Sequence, residues 1–300
     1  MDLMEFFVRR TEMRLDSSIY QQETAMNSDT TLVIGATGKT GRRVVQRLAA
    51  AGHAFRPGSR SAAIPFDWEN PDTWGAALDG MHSAYITYQP DLAVPGALRT
   101  IGAFFELALD LGVEKLVLLT GRGEAECLQA EAMLQATRAD WTILRASWFN
   151  QNFNEGFFSD SIAAGEIALP DSLAAEPFVD VEDVAEIAFA ALTTSRHSGK
   201  LYELTGPRAL TFGEAVAQIG KGRGRDIAYM TVSIDDYRAE LVRQQVPGEY
   251  IDLVIYLFEN VLDGRNTPVT DGVERALGRP ARPFDDFVMS AVASGAWQRS

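Results

Sequence analysis

The chain has 300 residues, 46% hydrophobic and 23% charged, the balance of an ordinary folded protein with enough length to bury a sizeable core. Its formal net charge of −14 argues against a phosphate-backbone partner, because nucleic-acid binders gather Lys and Arg on one face. The single cysteine, Cys127, excludes an intrachain disulfide and a thiolate cluster, and His53, His82 and His197 lie at no metal-binding spacing, so no metal site is expected.

Residues 1–25 precede the first recognisable element and read as an appendage. Asp2, Glu5, Arg9 and Arg10 interrupt its only apolar stretch, which argues against a secretory signal. No run approaches the roughly 18 to 20 apolar residues of a spanning helix, so the cytoplasm is the default location and no membrane partner is expected.

A continuous apolar run over 31–35 predicts a strand buried on both faces. Val44, Val45, Leu48 and Ala49 then recur at helical spacing until Gly52 stops the helix. Residues 54–59 and 64–66 predict two short strands, and Asn70 with Pro71 opens a helix that ends near Gly80. A strand over 83–88, a helix over 95–111, a strand over 115–120, a helix over 124–137 and a strand over 141–144 follow. This alternation predicts an α/β, Rossmann-type doubly wound parallel sheet with right-handed crossovers.

After about residue 148 the rhythm changes. Aromatic residues crowd 148–158, and strands at 178–179, 201–204 and 227–232 are separated by helices. Thr211 with Glu214 and Ser233 with Asp236 have the spacing of capping boxes, the second with Asp in place of Glu. The expected division is an extension over 1–25, a nucleotide-binding domain over 26–150, and the remaining strands plus a smaller C-terminal substrate lobe over 151–300.

Between the first strand and the first helix lies Gly35-Ala36-Thr37-Gly38-Lys39-Thr40-Gly41. Glycines there permit a tight turn and close approach of the backbone to a pyrophosphate, which the free N–H groups and dipole of the following helix then hold. The loop reads as a dinucleotide site, the alternative being a merely structural strand–helix turn. An acid at the end of the second strand would accept the ribose 2′-OH and repel a 2′-phosphate. This sequence has Arg56-Pro57-Gly58-Ser59-Arg60-Ser61 there, with no acid before Asp67. Arg60 can pair bidentately with a 2′-phosphate and Ser59 can add a hydroxyl, unless Arg60 is a solvated loop residue. NADP(H) is therefore the preferred cofactor, with NAD(H) left open. Thr87, Tyr88, Gln89, Thr120 and Gly121 follow two parallel strands and should face the crevice where such sheets bind ligands.

The run TGKTGRRVVQRLAAAGH, then SR at 59–60, FDW at 66–68, TW at 73–74, VLLTG at 117–121, LRASWFNQNFNEGF at 144–157, PFVDVEDVA at 177–185 and YELTGPRALTF at 202–212 resemble the NmrA-like atypical short-chain dehydrogenase/reductases. Within that family the similarity is greatest to azoreductase-like proteins and to festuclavine and agroclavine dehydrogenases. The resemblance implies a seven-stranded Rossmann sheet, a small substrate lobe, and cofactor contacts at Thr37, Gly38, Lys39, Thr40, Arg60, Asp67 and Trp68. Asp67 would serve the adenine, or else simply form a turn. Similar sequences usually carry Pro where Ala146 stands and Met where Asn150 stands, which leaves the wall near the nicotinamide open.

Short-chain dehydrogenases that reduce ketones use a Tyr-x-x-x-Lys pair, and no tyrosine here is followed by lysine at that spacing. Hydride transfer needs only a well-placed electrophile, so iminium ions, quinones and azo compounds are the expected substrates. Trp148, Phe149 and Phe153, with Phe157 and Phe158, are candidates to stack a planar substrate, against the alternative that they are core. Thr120 or Tyr88 is the candidate catalytic hydrogen-bond donor. The expected partner is a small molecule, with a second copy of the chain or a regulatory protein left open. The second functional reading is an NADP(H)-sensing regulator without turnover.

Overall fold

The computed structural model describes residues 30–172 and 174–298, so the expected extension over 1–25 lies outside it. In chain order come β1 (Thr31–Ile34), α1 (Gly41–Ala50), β2 (Phe55–Gly58), α2 (Asp72–Leu78), β3 (Ser83–Ile86), α3 (Ala97–Asp110), β4 (Lys115–Gly121), α4 (Ala125–Gln135) and β5 (Asp140–Ala146). There follow α5 (Ser159–Ala164), β6 (Glu166–Pro170), α6 (Val181–Thr193), β7 (Lys200–Leu204), α7 (Phe212–Arg223), β8 (Ala228–Val232), α8 (Ile234–Arg243), α9 (Gly248–Tyr256), α10 (Gly272–Leu277) and α11 (Phe284–Ala293).

Six strands pair in parallel in the order β2-β1-β3-β4-β5-β7. Side chains alternate across this sheet. Leu32, Ile34, Ala84, Ile86, Leu116, Leu118 and Ile143 join one core with Trp74 of α2, Phe104 of α3 and Leu134 of α4. Val33, Tyr85, Val117 and Leu144 join a second with Val44 and Leu48 of α1 and Val184 and Ile187 of α6. Both faces are covered, so the strands read as near-continuous apolar runs. A third core, built from α5, β6, α7, α8, α9 and α11, lies in the C-terminal half. There β6 and β8 form a two-stranded parallel sheet of their own.

The expected strand at 64–66 is absent, and the sheet, with six strands rather than the implied seven, ends on β2. Pro65 removes a ladder donor, and the Phe66 N–H turns back to the Ser59 carbonyl at 3.0 Å. Residues 178–179 make a single parallel bridge, Phe149 to Val179, in place of a strand. The Thr211 box forms with both reciprocal bonds. In the second, Ser233 accepts the Asp236 N–H at 3.1 Å, and the shorter Asp236 carboxylate takes the Ser233 hydroxyl.

The segment between α10 and α11 is tied to α6 through Asp183. This fully buried carboxylate accepts from Arg279 at 2.8 Å, from the Arg282 N–H at 2.8 Å and from the Arg282 guanidinium. Removing one partner of a buried ionic network strands the others. Asp183→Ala is therefore expected to lower the unfolding free energy by about 3 kcal/mol, measured by urea denaturation at constant m.

Candidate functional site

The β1–α1 turn is built around three glycines with three different constraints. Gly35 has φ +69, and a Cβ there would stand 2.5 Å from Thr87 Oγ1. Thr87 in turn donates to the Ile34 carbonyl at 3.2 Å, so the end of β3 presses on the turn. A Cβ on Gly38 would meet the Gly35 carbonyl oxygen at 3.2 Å and the Gln89 Nε2 at 3.7 Å. A Cβ on Gly41, the first residue of α1, would stand 2.7 Å from the Gly35 carbonyl carbon and closer still to its oxygen. The Gly38 N–H closes the loop onto that oxygen at 2.8 Å. Thr37 is exposed at the tip and Thr40 is buried beneath it. The loop thus packs against its own backbone and leaves a side-chain-free surface at a helix N-terminus, the form that suits a diphosphate.

The Lys39 side chain, half-buried, leans toward the segment after β5, where a Cβ on Gly156 would be 3.0 Å from its Nζ. Burial pushes its ammonium down, Arg42 and Arg43 act in the same direction, and Glu155 opposes them. Glu155 also pairs with Arg42 and, at 2.7 Å, with Arg43, which fixes the post-β5 segment against α1.

At the end of β2, Ser59 is half-buried and Arg60 exposed. The Ser59 carbonyl accepts from Ala62 at 3.2 Å and from Phe66 at 3.0 Å, so 59–66 is a closed loop that presents Arg60 at its start. The Arg60 charge reaches Tyr250 of α9, whose phenol burial pushes up while Arg60 opposes. Asp67 Oδ1 accepts the Glu69 N–H at 3.1 Å, which is the turn-forming role open to it. The side chain of Trp68, which the resemblance places among the cofactor contacts, lies in the core. It is 8% exposed, packs edge-on against Phe66 and Phe104, and donates through Nε1 to the Thr87 carbonyl at 3.0 Å. Its place is to brace the end of β3.

One of the two catalytic candidates also moves. Thr120 is 4% exposed and donates its hydroxyl to Glu131 at 2.7 Å, and Glu131 is clamped by Arg145. Its proton is committed within the α4–β5 layer. The Tyr88 ring lies 4.8 Å from that of Trp68, and burial pushes its phenol up while Thr100 of α3 opposes. The Thr120 hydroxyl is thus engaged inside the fold, while Tyr88 stands at a half-buried position. Gly121 lies at the carboxyl edge of the sheet: the register Ile86 to Leu118 carries Leu119, Thr120 and Gly121 beyond the end of β3.

Of the aromatic candidates, Trp148 and Phe149 are half-buried just past the end of β5. Trp148 packs edge-on against Phe212 at 5.6 Å and Phe258 at 5.9 Å. Phe153 is corrected to core: it is 0% exposed, ringed by Phe158, Phe178, Phe212 and Phe284. Its carbonyl accepts Trp297 Nε1 at 2.8 Å.

Sequence reasoning passed over two buried carboxyl sites near the carboxyl edge. Glu176 lies under Trp148, whose N–H it accepts at 3.4 Å, and burial pushes it up to about 7 against the opposing Trp148 N–H and Arg122 charge. Glu124, which begins α4, shares a side-chain hydrogen bond with Asp91 from the loop after β3. Thirty-odd residues separate those two acids, so no spacing pattern announces them; only the folded sheet edge brings them together.

An all-parallel sheet whose strand order reverses between β1 and β3, with the glycine turn at that reversal, defines a Rossmann-type α/β protein. No family model matches the chain. It is similar to the NAD(P)H azoreductase of Xenophilus azovorans, 27% identical over 285 residues that cover 88% of this chain and 98% of that protein. It is also similar to the agroclavine dehydrogenase of Claviceps fusiformis, 26% identical over 277 residues covering 86% and 96%. Among solved structures, the Citrobacter sp. triphenylmethane reductase complexed with NADP(H) matches with a TM-score of 0.73 at 20% identity, over 88% of this chain and 99% of that one. The resemblance read from the motifs therefore runs along most of the chain, and the solved structure shares its fold.

Proposed function

We propose that this chain is an NADP(H)-dependent oxidoreductase that reduces a small planar organic electrophile of the quinone, azo or iminium class. The observation that carries this reading is the β1–α1 turn, where any side chain on Gly35 or Gly41 would collide with neighbouring atoms. Backbone N–H groups of Thr37, Lys39 and Thr40, in the turn that the Gly38 N–H closes, would hold the diphosphate, and Arg60 with Ser59 the 2′-phosphate. Bound reduced nicotinamide supplies hydride. Gln89, whose Nε2 lies 3.7 Å from where a Gly38 Cβ would stand, and Gly121 would line the crevice beyond the turn, and half-buried Trp148 would offer an aromatic face past β5, whereas Phe149 packs on the core shared with α1 and α6. The helix α4 contains neither Tyr nor Lys, which removes the alcohol-dehydrogenase pair and favours electrophiles that accept hydride without it. The relatives named for an azo compound and for agroclavine, and the structural neighbour named for a triphenylmethane, support a planar electrophile.

Trp148→Ala is expected to raise KM for such substrates roughly tenfold, from loss of about 1 to 1.5 kcal/mol of stacking, with NADPH affinity unchanged. Phe153→Leu should lower Tm and leave KM alone. The reading itself is tested by following NADPH absorbance with menadione, an azo dye and a cyclic iminium. Turnover with at least one is expected; clear NADPH binding without any turnover would favour a sensor.

A further inference from the structure

Resting on the reductase reading, we propose that Glu124 is the acid that protonates the reduced substrate, with Asp91 positioning its proton. Glu124 occupies the N-cap position of α4 with extended backbone, yet its side chain makes no capping bond. The carboxyl instead folds back over Gly121, the last residue of β4, where a Cβ would stand 2.5 Å from Glu124 Cδ. The crevice floor thus carries no side chain of its own at that point, and the carboxyl fills the space.

Around it the structure supplies an ordered set of partners. The Gly121 N–H donates to Cys127 Sγ at 3.2 Å, and the thiol donates to Glu124 Oε2 at 3.4 Å. Asp91 shares a side-chain hydrogen bond with Glu124 and is itself half-buried, which gives the pair a path to solvent. The other titratable groups facing it are Glu126 of the same helix and Tyr256 of α9, which bonds to Glu126 at 3.2 Å. Among the described residues no lysine or arginine pairs with Glu124 or Asp91, although Glu124 is 6% exposed. A carboxyl buried to this extent with no cation beside it favours its neutral, protonated form. Burial first, and then Asp91, push Glu124 up to about 9, so it keeps that proton at neutral pH.

In the step, hydride with its electron pair would be supplied by reduced nicotinamide and would bond to the quinone or azo acceptor. The Glu124 O–H bond breaks as a new O–H or N–H bond forms on the substrate. The substrate is reduced by two electrons, the nicotinamide is oxidised, and the Glu124 carboxylate regains its proton from water beside Asp91. An iminium carbon becomes a neutral amine on accepting hydride and takes no proton, so it separates the two parts of the reaction.

Glu124→Gln should therefore lower kcat with menadione and an azo dye by about 100-fold while iminium reduction falls less than about threefold. In the wild type, kcat/KM for menadione should fall above a pH of about 9, and Asp91→Asn should move that limb to lower pH because the neighbouring negative charge is gone. A coenzyme-free readout stands beside these. A raised carboxyl makes the fold less stable as pH climbs from 4.5 to about 9, whereas glutamine does not ionise, so the Tm of Glu124→Gln should gain on the wild type across that window. Equal losses on all three substrates, an unmoved alkaline limb, or a Tm gap independent of pH would overturn the assignment. Wild-type protein that reduces none of the three substrates would instead remove the reductase reading, with the Tm gap still reporting on the Glu124 proton.

Discussion

Gly41→Ala is expected to weaken NADPH binding at least 100-fold, about 3 kcal/mol, and to lower Tm as well. The added carbon would lie 2.7 Å from the Gly35 carbonyl carbon and 3.1 Å from the Ala36 nitrogen, all backbone atoms of the turn itself. No side chain can swing aside to relieve that overlap, so α1 must retreat from β1. Retreat opens the 2.8 Å bond from the Gly38 N–H to the Gly35 carbonyl and spreads the N–H groups that would converge on the diphosphate. A displacement of about 1 Å in a positioned group is enough for a hundredfold effect. Calorimetric titration of the folded variant, with circular dichroism to confirm its helices, checks both parts. The expected contrast is Gly52→Ala, where nothing lies within 4 Å and only the strain of φ +72 is paid.

Arg60→Glu is expected to raise the Kd for NADPH by about 100-fold and that for NADH by less than about threefold, reversing the coenzyme preference. The closed 59–66 loop holds Arg60 at the end of β2, on the side of the sheet where the order runs away from β1 toward its edge. A guanidinium there is a bidentate partner for a 2′-phosphate, and a carboxylate would repel the same group while accepting a 2′-OH. Equal losses for both coenzymes, measured by quenching of intrinsic fluorescence, would assign Arg60 to the loop alone.

The sheet is legible because burial on both faces writes itself as apolar runs: Leu32 to Ile34, Ala84 to Ile86 and Leu116 to Leu118 read as strands from the sequence alone. The glycine turn was legible because its demands are local. Residues 64–66 misled, since Ile64 and Phe66 carry the apolar signal while Pro65 withholds the hydrogen bond and leaves Ile64 36% exposed. β6 was not seen at all, because its partner β8 lies some sixty residues on and the pairing is tertiary. Side-chain roles at the site were the least legible. Thr120, Trp68 and Phe153 have the right residue types near the carboxyl edge, and what sends them inward is the packing of Glu131, Phe104 and Phe212 from other elements. The Glu124–Asp91 contact is likewise made only when the loops after β3 and the end of β4 meet.

Isothermal titration of the full chain with NADPH is the most direct measurement of whether the bare turn at the end of β1 is a coenzyme site. One NADPH per chain is expected at roughly micromolar affinity, about −8 kcal/mol, with NADH weaker. Folded protein that gives no heat with NADPH, NADP+, NADH or NAD+ would contradict it.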